Sequence, residues 1–290
     1  MNARLHYPAE GRYALGEHKG LSPLLGSAVK IWLSKPSVFI VAALVVVLPM
    51  EILFTGLLGG GFDDPDGIAD NLWAAVDAFA VGMLGFALIT AAHARAVVAL
   101  AAGQKVGTLS ALRLGGGAFI TVLGVAVLYT LAVLAGTIAL IIPGIYLSVV
   151  LLFSTQVAAL TRTGISSSFD SSIKLVRAVG WWRTFGYLLL ITVVSFAAVF
   201  ALAIPFVAVS ALAGDSAAGP IAVIFNGVAT ALIYSFTALV QSLLYFSFRA
   251  KVGDAWADES SSGSVDLEAG ADWEPAGASG QWAGAAQSGS

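Results

Sequence analysis

Residues 119–160 read FITVLGVAVLYTLAVLAGTIALIIPGIYLSVVLLFSTQVAAL, an apolar run without a charged side chain. A helix needs roughly 20 apolar residues to cross a hydrocarbon core, and this run is about twice that. Proline removes a backbone donor and glycine frees the turn. The Ile142-Pro143-Gly144 step therefore reads as a tight hairpin between two spans, not as the middle of one long tilted helix. Working outward, apolar runs cover about 38–58, 73–98, 118–141, 144–161, 184–212 and 220–247. The expected fold is an all-α membrane protein with six transmembrane helices.

Composition agrees. Of 290 residues 58% are hydrophobic and only 11% charged, with mean hydropathy +0.90, against about 25% charged in soluble domains. No short apolar core followed by small residues precedes Val38, so the first run reads as a retained span rather than a signal peptide. The chain has no cysteine, which excludes a disulfide framework, thiolate metal sites and a cysteine nucleophile. Its three histidines, His6, His18 and His93, share no metal-ligand spacing. No metal or other cofactor is expected.

Charge orients the spans. All 14 basic residues fall on one side of this map. Arg4, Arg12, Lys19, Lys30 and Lys35 precede the first span, and Arg95, Lys105 and Arg113 surround the second connection. Arg162, Lys174, Arg177 and Arg183 lie in the fourth connection, and Arg249 and Lys251 follow the last span. The opposite connections carry Asp63, Asp64, Asp66, Asp70 and Asp215 and no basic residue. Basic loops stay in the cytoplasm, so both termini are expected there, in the plasma membrane.

A pentapeptide recurs before each odd-numbered span: Ser27-Ala28-Val29-Lys30-Ile31, Ser110-Ala111-Leu112-Arg113-Leu114 and Ser171-Ser172-Ile173-Lys174-Leu175. The first and third copies also match at Leu25 with Phe169 and Pro36 with Gly180, and Pro49, Pro143 and Pro205 follow toward the far ends of those spans. The reading is three repeats of an interfacial amphipathic helix plus a transmembrane hairpin. Basic side chains would snorkel to headgroups while their aliphatic neighbours sit in the acyl boundary. Trp32, Trp181 and Trp182 would form an aromatic belt. In the third copy Phe169, Ile173, Val176 and Gly180 make an apolar row opposite Lys174 and Arg177, with Ser166, Ser167 or Ser168 as a cap.

The domain plan is a polar N-terminal segment (1–20), a membrane domain (21–250) and a disordered, acidic, Gly/Ala/Ser-rich tail (251–290). Trp256, Trp273 and Trp282 in that tail read either as a motif for a protein partner or as part of an unselected spacer.

Candidate chemistry is sparse. Glu51 and Asp77, near the outer ends of spans one and two, form a candidate intramembrane polar site or lie solvated at headgroup level. Lys30, Arg95, Arg113, Lys174, Arg177 and Arg183 are candidate lipid headgroup contacts, with His93 beside Arg95. Asn226, Gln156 and Gln241 are placed to bond between helices, and Gly56, Gly82 and Gly85 suggest close helix contacts. Gly115-Gly116-Gly117 reads as a hinge, lacking the phosphate-loop lysine. No GxSxG elbow occurs, and no basic soluble domain is present for nucleic acid.

The stretch Ile142-Pro143-Gly144-Ile145-Tyr146-Leu147, then Ser171-Ser172-Ile173-Lys174-Leu175-Val176-Arg177 and Trp181-Trp182-Arg183, resembles bacterial membrane proteins related to the membrane domain of glycerophosphoryl diester phosphodiesterase. Ala94-Arg95-Ala96-Val97 before Gly103 also fits, and the resemblance covers about residues 20–250; the glycine spacing at Ala178-Val179-Gly180 departs from it. It implies a stand-alone membrane domain without the hydrolase barrel. The expected function is a non-enzymatic membrane protein that interacts with membrane lipids or organises the membrane. The alternative is a small-solute or ion transporter or channel with Glu51 and Asp77 in its path. The sequence does not fix an oligomeric state.

Overall fold

The computed structural model describes Leu15 and residues 18–54, 79–161, 164–213 and 215–253. Every regular element among them is helical. α1 (Leu21–Ser34) ends at Lys35-Pro36, and a π-helical turn (Ser37–Val41) leads into α2 (Ala42–Glu51). A second π-helical turn (Ala80–Gly85) leads into α3 (Phe86–Ala101). Then come α4 (Thr108–Gly116), α5 (Phe119–Ala139), α6 (Ile141–Val150) and α7 (Ser154–Leu160). α8 (Ile165–Val179), α9 (Trp181–Ala213) and α10 (Asp215–Val252) complete the order.

Among the described residues five stretches are long and apolar enough to cross a membrane: Ser37–Phe54, Val81–Ala101, Phe119–Ala139, Ile141–Leu160 and Ile221–Val252. α8 with the first half of α9 makes a sixth candidate as a pair, bent by 104°. The bend sits at Gly180, whose φ of +105° is a conformation that side chains disfavour. The architecture is that of a multi-pass helical membrane protein.

The hairpin that decides the fold turns three residues earlier than the proline suggests. Leu140 alone is extended (φ −164°, ψ 144°), and Ile142-Pro143-Gly144 forms the first turn of α6. Proline is tolerated there because first-turn N–H groups have no partner within the helix. Glycine is needed for another reason. A Cβ on Gly144 would lie 2.9 Å from the backbone of Thr137, and one on Gly136 3.1 Å from Gly144, so the two glycines let α5 and α6 pack backbone to backbone.

The span that follows is broken. α6 stops at Val150 and α7 starts at Ser154. Ser172 of α8 fills the gap: its hydroxyl donates to the Val150 carbonyl at 2.8 Å and accepts from the Phe153 N–H at 3.1 Å. α8 therefore packs against α7 through one face. Its buried face is Ser168, Ser172, Leu175, Val176 and Val179, with Phe169 and Ile173 only partly buried. Ser167 and Ser168 lie within its first turn and bond back to the Gly164 carbonyl, so none of the serines caps it.

α10 has 38 residues. At 1.5 Å per residue that is roughly 57 Å, against about 30 Å for a hydrocarbon core. Its first part lies along α2, where a Cβ on Gly227 would be 2.9 Å from Leu48 and 3.3 Å from Glu51. Its last part is enclosed by α1, α3, α7, α8 and α9. There Phe248 meets the rings of Phe153 and Tyr187 at 5.3 Å each, and Leu24, Ala28, Ile31, Val97 and Leu175 close the core. The core thus gathers at the end of the bundle that holds the short helices. At the opposite end the α5–α6 hairpin stands out, with Ile138, Leu140, Ile141 and Ile142 all exposed.

Candidate functional site: three short helices over a buried polar seam

α1, α4 and α8 each precede two long helical stretches. Their recurring pentapeptides present equivalent faces. The second residue (Ala28, Ala111, Ser172) is fully buried in every copy, and the fourth (Lys30, Arg113, Lys174) is exposed in every copy. Arg177 and Arg183 are exposed as well. Thr108 at the start of α4 donates to the Ser37 carbonyl at 2.6 Å, which places α4 beside the entry to α2. α8 starts with Ile165 against Gly124, near the beginning of α5.

Arg95 behaves differently from these exposed cations. Its Nε donates to the Ala159 carbonyl at 2.7 Å and its Nη1 to the Leu114 carbonyl at 2.9 Å. The guanidinium joins the ends of α4 and α7 through carbonyls that helix termini leave without partners. These bonds tie Nε and Nη1 to protein carbonyls. Gly117 borders it, since a Cβ there would lie 3.1 Å from Nη1. Gly115 is no hinge: it belongs to α4, and a Cβ would lie 2.7 Å from the Ala92 nitrogen. α3 makes this approach possible through Ala87, Ala91, Ala92, Ala94 and Ala96, all buried. Gly82 and Gly85 make only ordinary contacts, at 3.8 Å or more, and Gly56 and Asp77 lie outside the described residues.

His93 is fully buried. Ser235 of α10 joins it to the first helices. The Ser235 hydroxyl has one proton, and the Phe39 carbonyl, 2.9 Å away, accepts it. Trp32 Nε1 donates to Ser235 Oγ at 2.9 Å, and His93 Nε2 stands 3.0 Å from the same oxygen. The Phe39 and Ile89 carbonyls border the His93 ring. Trp32 is therefore tied to the interior. Of the other belt candidates, Trp181 stacks between Tyr146 and Phe185, and Trp182 faces outward at 78% exposure.

Gln156, Gln241 and Asn226 bond between helices as the sequence suggests. Gln156 donates to Gln241 at 2.9 Å, with Thr155 donating to the Gln156 carbonyl oxygen. Asn226 donates to Glu51 Oε1 at 3.0 Å, and Glu51 is only 2% exposed. At the other end of α10 His18 and Lys19 bond to Ser247 at 3.0–3.1 Å. Among the described residues no group of three or more His, Asp or Glu side chains converges. Arg162 and the tail tryptophans lie outside the described residues.

Comparison with protein-family models, curated proteins and solved structures finds no match to this chain, so the likeness to the phosphodiesterase membrane domain rests on the sequence motifs alone.

Proposed function

We propose that this chain is a non-enzymatic plasma-membrane protein that holds a fixed set of cations against anionic lipid headgroups on the cytoplasmic side. In this reading α9 supplies the sixth span, both termini are cytoplasmic, and the chain is three units of short amphipathic helix plus hairpin. The observation that carries it is the shared face of the pentapeptides. A buried second residue anchors each short helix, and an exposed Lys30, Arg113 or Lys174 is displayed from it. A basic side chain near an anionic leaflet contributes about 1 kcal/mol. Three mounted on docked helices would select lipid without ordering flexible chain. The test is lipid analysis after gentle solubilisation. Anionic lipid should copurify with the wild type and fall when Lys30, Arg113 and Lys174 are changed to Gln; unchanged retention would refute the reading.

A transporter is the second reading. It is favoured by Glu51, a carboxylate buried within a span and held by Asn226, together with the broken and π-helical spans. Purified protein in liposomes would then move a solute or ion, and Glu51→Gln would abolish the flux.

A further inference from the structure

We propose that the acidic segment 254–274 of this chain docks on the cations that surround the end of α10. Packing assembles that surface. Phe248 lies near the end of α10, and its ring meets those of Phe153 and Tyr187 at 5.3 Å each. Ser172 accepts from the Phe153 N–H, so the middle of α8 stands beside the same point. Lys174 and Arg177 lie within two turns of Ser172, Arg183 one turn before Tyr187, and Lys251 one turn after Ser247. All four cations are exposed, and among the described residues none of them makes an ion pair. Asp170 is the one carboxylate on α1, α4 or α8. Like charges held on packed helices repel one another, and an anionic occupant relieves that repulsion.

The course of the chain selects the occupant. Gly253 ends α10 with φ +56°, its N–H donating to the Arg249 carbonyl at 3.1 Å. This is the usual glycine stop, and it turns the chain off the helix axis amid the cations. The next 21 residues hold seven carboxylates and no basic side chain. A segment tethered this closely meets the surface at an effective concentration on the order of mM. Within it Asp272-Trp273-Glu274 adds an indole face, on which a guanidinium can stack. The docking is independent of the lipid reading, and an anionic headgroup would compete for Lys174.

The chain has no cysteine, so two introduced ones report alone. Ala178→Cys, at an exposed position of α8, and Ala271→Cys in the segment each carry a nitroxide. Double electron–electron resonance on full-length protein in neutral phosphatidylcholine nanodiscs reads their separation. A segment without contacts would spread over roughly 21–25 Å r.m.s. between Gly253 and Ala271. Docking should give a narrow distribution at about 0.15 M salt, where exposed charges act over about 8 Å, and a broad one at about 1 M, where they act over about 3 Å. Replacing Asp266, Glu268, Asp272 and Glu274 together by Asn or Gln should broaden it at the lower salt, as should Lys174→Gln with Arg177→Gln. A broad distribution in the wild type, or a narrow one indifferent to salt and to these substitutions, would overturn the proposal. Phosphatidylglycerol nanodiscs separate it from the lipid reading. Broadening there, after a narrow distribution in neutral lipid, supports both; a distribution that stays narrow supports the docking and counts against the lipid reading.

Discussion

Ser172 lies on α8 and Phe153 in the break between α6 and α7, and the serine hydroxyl completes that break, accepting from the Phe153 N–H at 3.1 Å. Ser172 is one of the three equivalent buried pentapeptide positions, and the other two are alanines. The hydroxyl therefore has a local task. Ser172→Ala should leave the Phe153 N–H and the Val150 carbonyl unpaired and destabilise the fold by about 1–3 kcal/mol. Denaturant unfolding of the purified protein measures it. Unaltered stability would mean that the break is satisfied without Ser172.

Gly115 and Gly116 separate close packing from helix propensity. Gly115→Ala drives a methyl into the Ala92 backbone and should cost about 1–3 kcal/mol, the usual range for overpacking. Gly116 has nothing within 4 Å of its Cβ position, so Gly116→Ala should be neutral or stabilising, by up to about 1 kcal/mol. The same unfolding measurement ranks the two variants.

Arg95→Lys keeps the charge but loses the planar fork that serves two carbonyls on different helices. A loss of about 1–3 kcal/mol is expected. If headgroup contact were its main role, Lys would substitute without loss of stability and only lipid retention would respond.

The hairpin at Leu140 gives a topological prediction. A reporter inserted after Leu140 should read as extracellular, and one fused after Lys251 as cytoplasmic. Matching signals from both positions would remove the six-span orientation and the threefold arrangement with it.

Much of the bundle was legible in the apolar runs, because length and composition are what a bilayer demands. The positions of α1, α4 and α8 were legible too, through the basic residue flanked by small and aliphatic ones. The Gln156–Gln241 bond followed from the scarcity of amides in apolar helices. Other features depend on contacts across long separations. Pro143 looked like a turn, but a first-turn proline loses nothing, so the turn moved to Leu140. The face of α8 was read from its apolar row, whereas Ser168 and Ser172 are buried because they bond to backbone. His93 looked peripheral beside Arg95; its partner Ser235 lies 142 positions away. Arg95 looked like a snorkelling cation, and its acceptors are carbonyls, which no side-chain pattern reveals.

The bonds between His18 and Ser247 join positions 229 apart. A ribosome makes α1 first and the end of α10 nearly last. Until then the face of α1 that carries Leu24, Ala28 and Ile31 has no α10 to cover it. The newborn chain therefore cannot mature span by span. Its first helix completes its packing only with its last, and truncation within α10 should strand the earliest part of the protein as well as the latest.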